Sequence, residues 1–252
     1  MSRFDDRVLL LTGAGSGIGR ATALKLASEG ASLFLSDIVA EGLKETVEMA
    51  TAASASTTQI EYQVSDISNE TQAKAAVASC IERFGRLDAL CNNAGIIAYE
   101  HTHEMSLDFW RRILSVNIDG TFLMTREAIP HLLETKGAIV NIGSTAGLSG
   151  LAYGAAYSAS KGAVHAFTRA IAVEYSKQGL RANSICPASI ETGMLTATRM
   201  PKNANLALLQ RLSSLHGPAT PDVVADLVLF LASQDGKHIS GEEIRIDGAA
   251  LA

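Results

Sequence analysis

Tyr157 and Lys161 stand four residues apart, and Ser144 lies thirteen residues before the tyrosine. Residues i and i+4 of a helix share a face, so a helix opened by Tyr157 sets the ammonium against the phenol. A free phenol titrates near ~10 and accepts protons poorly at neutral pH, whereas a neighbouring cation favours the phenolate. One acidified hydroxyl, with the Ser144 hydroxyl available to hold a carbonyl oxygen, is an apparatus for interconverting an alcohol and a ketone. A Y-x-x-x-K spacing arises by chance in many helices. Its weight depends on what the other end of the chain contains.

There, the apolar run Val8-Leu9-Leu10-Leu11 reads as a strand buried on both faces of a parallel sheet. It leads into Thr12-Gly13-Ala14-Gly15-Ser16-Gly17-Ile18-Gly19 and then a helical pattern that Gly30 closes. Strand, glycines and helix in that order form a cradle for a pyrophosphate at a helix N-terminus. The string fits T-G-x-x-x-G-x-G, through Thr12, Gly13, Gly17 and Gly19, and does not fit G-x-G-x-x-G. The next apolar run ends at Asp37, eighteen residues after Gly19, where a carboxylate meets the ribose hydroxyls of an adenine dinucleotide and repels a 2′-phosphate. Ile38, Val39 and Ala40 follow and offer no cation, which favours NAD over NADP. A simpler role for Asp37 is to cap the helix beginning near Ala40.

The elements that must position these groups alternate. Strand-like runs fall at 8–11, 32–36, 59–64, 89–92, 138–142, 182–185 and 243–246, and helical patterns at 18–28, 41–50, 70–84, 107–134, 157–177 and 221–232. Thr220 is the expected N-cap of the last helix and Pro221 its first residue. Such alternation predicts a single α/β domain over residues 1–252, a Rossmann-like doubly wound parallel sheet of about seven strands with helices on both faces. Asp37, Asp66, Asn93, Ser144 and Pro187 all follow strands, so they gather on the ligand-binding edge of the sheet.

Gly13/Gly17/Gly19, Asn92-Asn93-Ala94-Gly95, Asn117, Ser144, Tyr157 and Lys161 together give the chain a pattern that resembles the short-chain dehydrogenase/reductase family. The resemblance runs from Val8 to about Gly248 and takes in Asp66 and the segment Pro187, Ile190, Thr192, Met194. It implies Tyr157 as the acid/base, Lys161 as the group that lowers the phenol and holds the nicotinamide ribose, and Ser144 on the substrate oxygen. Asn117 would anchor a water passing protons from Lys161. The cofactor lining it implies comprises Gly13, Ser16, Gly17, Ile18, Gly19, Asp37, Ile38, Asp66, Ile67, Asn93, Ala94, Gly95, Ile190 and Thr192, besides Tyr157 and Lys161. Asn92 is expected to tie strands together, and Asp66 either meets the adenine or caps the helix near Ser68. Residues 191–216 become a mobile substrate loop, whose apolar residues Met194, Leu195, Met200, Leu206, Leu209 and Leu212 suit an extra packed helix equally well. Two departures from the family pattern stand out: Ala188 where glycine follows the proline, and Ala249 in place of the second glycine of D-G-G.

The balance of 21 Lys+Arg against 26 Asp+Glu provides no basic stripe for nucleic acid. No apolar run approaches ~18–20 residues, so neither export nor a membrane span is expected. Cys80, Cys91 and Cys186 lack C-x-x-C spacing and read as reduced thiols of a cytoplasmic protein. His101 and His103 would point the same way only in a strand, and no Cys/His cluster elsewhere matches them, so no metal is expected; His103 is left to border the substrate. The expectation is an NAD-dependent oxidoreductase acting on a small secondary alcohol or its ketone, for which the family resemblance implies a homotetramer. The alternatives are an NADPH-dependent 3-oxoacyl-type reductase and a nucleotide-binding regulatory protein on the same fold. Leu148, Leu151 and Tyr153 suggest an apolar pocket, with Arg111 and Arg112 as the adjacent cations.

Overall fold

The computed structural model describes residues 2–54, 58–193 and 199–252. β1 (Val8–Thr12) is buried at all five positions, as its unbroken apolar sequence requires. It sits inside a parallel sheet with β2 (Ser32–Asp37), β3 (Ile60–Val64), β4 (Ala89–Asn92), β5 (Ala138–Ile142), β6 (Arg181–Pro187) and β7 (Glu243–Ile246). The strand order is β3-β2-β1-β4-β5-β6-β7. Leu10 lies level with Phe34 on one neighbour and Leu90 on the other. The chain leaves β1 toward β2 and β3 and returns to its other side with β4, and that reversal opens a crevice beyond the strand ends.

Two helical layers cover the sheet. Leu9 and Leu11 point into a core shared with α1 (Gly17–Ser28), α2 (Ala40–Ala53) and α8 (Pro221–Ala232), through Leu26, Leu43 and Val228. Val8 and Leu10 point the opposite way, toward α3 (Glu70–Phe84), α5 (Gly120–Thr135) and α7 (Ala155–Tyr175), through Val77, Met124 and Ile171. Each such side chain contributes roughly 1.5–3 kcal/mol when fully buried. Two shorter helices, α4 (Leu107–Leu114) and α6 (Thr145–Ser149), stand at the crevice.

The local signals for these elements hold closely. α3 starts where Asn69 accepts from the Gln72 N–H and stops at Gly85, whose φ of +72 is left-handed. α8 begins at Pro221 as expected, although the Thr220 hydroxyl makes no capping bond. The helix expected over 107–134 is interrupted: Ser115–Asp119 is a π-helical turn, closed by the Gly120 N–H on the Ser115 carbonyl. Tyr157 is the third residue of α7, not its opening one. Between β6 and α8 the described residues form two short 3-10 turns, Leu206–Leu208 and Gln210–Leu212. Met194 and Leu195, named for the apolar face of that loop, lie outside the described residues.

Both departures from the family pattern have local readings. Ala188 is not among the residues with positive φ, and its N–H bonds to the Ile246 carbonyl at 3.0 Å, so its backbone does not need glycine. Ala249 does hold a left-handed φ of +66, a conformation costing an alanine roughly 1–2 kcal/mol that glycine would avoid. The tail beyond it is anchored, with Leu251 donating to Asp247 and accepting from Arg245.

Candidate active site

A cavity of about 550 Å³ runs along the crevice from the glycine loop to Ser144 and Tyr157. At its far end Gly13 has φ +64, and a Cβ there would stand 2.7 Å from the Ala94 Cα; a Cβ on Gly19 would collide with the Gly13 carbonyl. These glycines keep loop, α1 and β4 in close contact. Ser16 takes the N-cap position of α1 without spending its hydroxyl on a cap, and the first turn carries no acidic residue. The unpaired N–H groups and positive end of α1 therefore face the cavity at Gly17 and Ile18, which suits a pyrophosphate.

Asp37 and Ile38 at the end of β2, and Asp66 and Ile67 at the end of β3, line the next stretch. Asp37 is not the cap of α2, a place taken by Val39; its carboxylate instead accepts from the Gly15 and Val39 N–H groups at 2.8 and 2.9 Å. Asp66 accepts from the Ser68 N–H and hydroxyl, while Asn69 caps α3. The fold does bring one cation near Asp37 that sequence distance concealed. Arg20 donates to the Gly15 carbonyl at 2.7 Å, but Glu45 neutralises it at the same distance. Thr12 accepts from the Asn93 and Ala94 N–H groups at 3.1 Å, and Asn93 donates to the Gly13 carbonyl at 2.9 Å. Asn92 ties strands and helix together as expected, donating to Asn141 on β5 and Thr125 on α5. The donors, carboxylates and glycine cradle thus fit an adenine dinucleotide laid across the strand ends.

Ser144, Tyr157, Lys161, Ile190 and Thr192 meet the same cavity beyond Gly95. Ser144 caps α6 by accepting from the Ala146 N–H at 3.1 Å, so it is a turn residue and a cavity residue at once. Lys161 is 5% exposed; its Nζ lies 5.9 Å from the Tyr157 ring centroid and donates to the Ile142 carbonyl at 2.6 Å. Asn117 is wholly buried in the π-helical turn. Its amide accepts from the Ile96 N–H at 2.8 Å and donates to the Ile96 carbonyl and the Ser160 hydroxyl at 2.9 and 3.0 Å. Ser160 in turn donates to the Tyr157 carbonyl at 2.7 Å. The amide is therefore engaged in bracing α7 against the loop after β4.

Charge in the site differs from the expectation. Burial pushes Tyr157 up to about 12; its hydrogen bond with Ser144 opposes that rise, and the Tyr99 phenol adds to it. Burial likewise lowers Lys161 from 10.5 to about 8. The protein's own groups do not acidify the phenol, because the cost of burying a phenolate outweighs them. They hold it protonated at neutral pH, ready to donate to a ketone oxygen.

The substrate end contains groups that sequence reasoning did not single out. Tyr99 and Ile97, from the loop after β4, line the cavity, and so does Arg112 on α4, one of the two cations expected beside it. Tyr99 carried no spacing signal in the sequence. Leu151, Met200, Leu209 and Leu212 also line it, whereas Leu206 is exposed. Leu148 and Tyr153 are not wall residues. Leu148 faces outward, and Tyr153 holds the loop, its hydroxyl accepting from the Asn205 N–H at 2.8 Å. His103 is exposed beside Glu104, and His101 meets the Lys202 carbonyl at 2.9 Å. Among the described residues, no group of three or more His, Cys, Asp or Glu side chains is arranged to hold a metal ion.

Known proteins share this architecture over its full length. A family model described as enoyl-(acyl carrier protein) reductase matches residues 13–249. The meso-2,3-butanediol dehydrogenase of Serratia marcescens is 38% identical over 250 residues, covering 99% of this chain and 96% of that protein. The levodione reductase of Leifsonia aquatica is 36% identical over 259 residues, covering 100% and 96%. A solved short chain dehydrogenase from Mycobacterium paratuberculosis, bound to NAD, matches 98% of each chain with a TM-score of 0.90 at 28% identity. Motifs, sheet order and relatives agree from the glycine loop to the last strand, and the chain belongs to the short-chain dehydrogenase/reductase family.

Proposed function

We propose that this oxidoreductase interconverts a secondary alcohol and a ketone and takes NAD in preference to NADP. The observation that carries the reading is the single cavity joining the glycine loop and Asp37 to Ser144, Tyr157 and Lys161. A bound nicotinamide supplies the hydride acceptor or donor. Around it, Ser144 fixes the substrate oxygen and Tyr157 gives or takes its proton. Lys161 holds the ribose, and Asn117 keeps the π-helical turn in place behind them. The butanediol and levodione enzymes act, by name, on small hydroxy or keto compounds, which supports that substrate class.

Asp37 supports NAD, because a 2′-phosphate beside its carboxylate would meet like charge with Arg20 already paired. Residues 191–216 act as the substrate loop. One observation favours the 3-oxoacyl rival: Arg112 lines the cavity and has no ion-pair partner among the described residues, leaving a cation for an acidic carrier. Titration of the protein with NADH and separately with NADPH decides between them. NADH binding at least ~10-fold tighter, a difference of about 1.4 kcal/mol, is expected; tighter NADPH binding would overturn the preference and put the 3-oxoacyl reading first.

A cytoplasmic setting is supported by three free, buried cysteines. A homotetramer is supported by the family resemblance and by apolar residues left exposed on the helices, such as Phe122 on α5 and Val173 on α7. No helix among the described residues is long and apolar enough to cross a membrane.

A further inference from the structure

The reaction just described uses two hydroxyls, Ser144 and Tyr157, on one substrate oxygen. The substrate end of the cavity contains a further phenol that it does not use. Tyr99 lines the same space as Ser144 and Tyr157, and its phenol is near enough to act on the ionisation of Tyr157. It is half-buried and has no hydrogen-bond partner among the described residues. Burial alone raises it above its ordinary value, so it stays protonated and can donate throughout the working range. The surrounding wall is largely apolar, formed by Ile97, Leu151, Met200, Leu209 and Leu212, with Arg112 and Ser213 beside them. A neutral phenol in such a wall is left underused by a hydrocarbon and is satisfied by an oxygen at the right distance.

We propose that Tyr99 is a specificity residue that donates a hydrogen bond to a second oxygen of the substrate. The preferred substrates are then compact, otherwise apolar ketones or secondary alcohols that carry a further hydroxyl or carbonyl group. This rests on the alcohol/ketone reading above and narrows it. A site that hydrogen-bonds a substrate hydroxyl discriminates against the analogue lacking it, because its own polar group is left unpaired.

The test compares wild type and Tyr99→Phe in NADH-dependent reduction of 2-, 3- and 4-hydroxycyclohexanone, each against the methylcyclohexanone of the same substitution. Pairing hydroxyl with methyl holds size nearly constant, and taking the ratio between enzymes cancels the ketones' intrinsic reactivities. At one ring position or more, Tyr99→Phe is expected to lower kcat/KM for the hydroxy ketone by about 5–10-fold while leaving the methyl ketone within about twofold. Equal losses on both members of every pair, or no loss on either, would overturn the proposal. If wild type binds NADH but reduces none of the six ketones, the underlying ketone reading fails, and that outcome is distinct from a failure of Tyr99 alone.

Discussion

The Asp37 carboxylate accepts a hydrogen bond from the Gly15 N–H at 2.8 Å, so a residue that lines the cavity, and is proposed to meet the cofactor's ribose, also fastens the glycine loop to β2. A substitution there does two things at once. Asp37→Ala removes the charge proposed to exclude a 2′-phosphate and frees the loop N–H. NADH affinity should fall by about tenfold or more, with a smaller change for NADPH, so that the preference narrows or inverts. Fluorescence titration of both cofactors checks this; unchanged NADH affinity would remove Asp37 from the site.

Tyr153 and His101 hold the segment proposed as the substrate loop, at Lys202 and Asn205, from one side. The Tyr153 hydroxyl accepts from the Asn205 N–H, His101 meets the Lys202 carbonyl, and the two rings touch edge-on with centroids 5.1 Å apart. Tyr153 does this from a left-handed φ of +64, held there by the Glu100 N–H on its carbonyl at 2.8 Å. Tyr153→Phe should raise KM for the ketone about 5–10-fold, as expected for one lost hydrogen bond, with little change in kcat. Trypsin should also cut faster after Lys202. Unchanged KM together with unchanged cleavage would show that these bonds do not set the loop's position.

His165 is buried behind Ser144, with its Nε2 3.4 Å from both the Ser144 nitrogen and the Cys186 sulfur. Burial, reinforced by Lys161 and Arg169, lowers it from 6.5 to about 4. The unfolded chain takes up this proton near pH 6.5, and the folded chain takes it up only near pH 4. Between those values the unfolded state binds more protons, so stability is fully present above pH 6.5 and declines as pH falls toward 4, by at most ~3 kcal/mol. His165→Leu should flatten that decline. Urea unfolding of both proteins at pH 4.5 and 7.5 measures it, and an unaltered pH slope in the variant would exclude His165 as its source.

Much of this was legible in the sequence, for reasons that particular residues show. Val8-Leu9-Leu10-Leu11 has no polar position to expose and forms a doubly covered strand. Asn69 and Gly85 mark the two ends of α3, the helix expected over the same residues. Asp37, Asn93 and Ser144 reach one edge because parallel strands all end there. What escaped depends on contacts between distant residues. The π-helical turn at Ser115–Asp119 contains no proline or glycine to announce it, and the amide of Asn117 that meets Ile96 is joined to it only by folding. Arg20 looks remote from Asp37 until α1 and α2 pack. The i, i+4 spacing of Tyr157 and Lys161 is visible, but the burial that raises one and lowers the other is not.

In the proposed reaction Tyr157 carries the proton of a nicotinamide-dependent ketone reduction. Tyr157→Phe removes that hydroxyl while keeping the ring. Its single-turnover rate of ketone reduction, measured alongside its Kd for NADH, separates chemistry from binding. A rate loss of about 10²–10⁴-fold, with NADH affinity within about threefold of wild type, is the expected result. Reduction at near the wild-type rate with the cofactor bound would contradict the assignment and return the protein to a nucleotide-binding role without this chemistry.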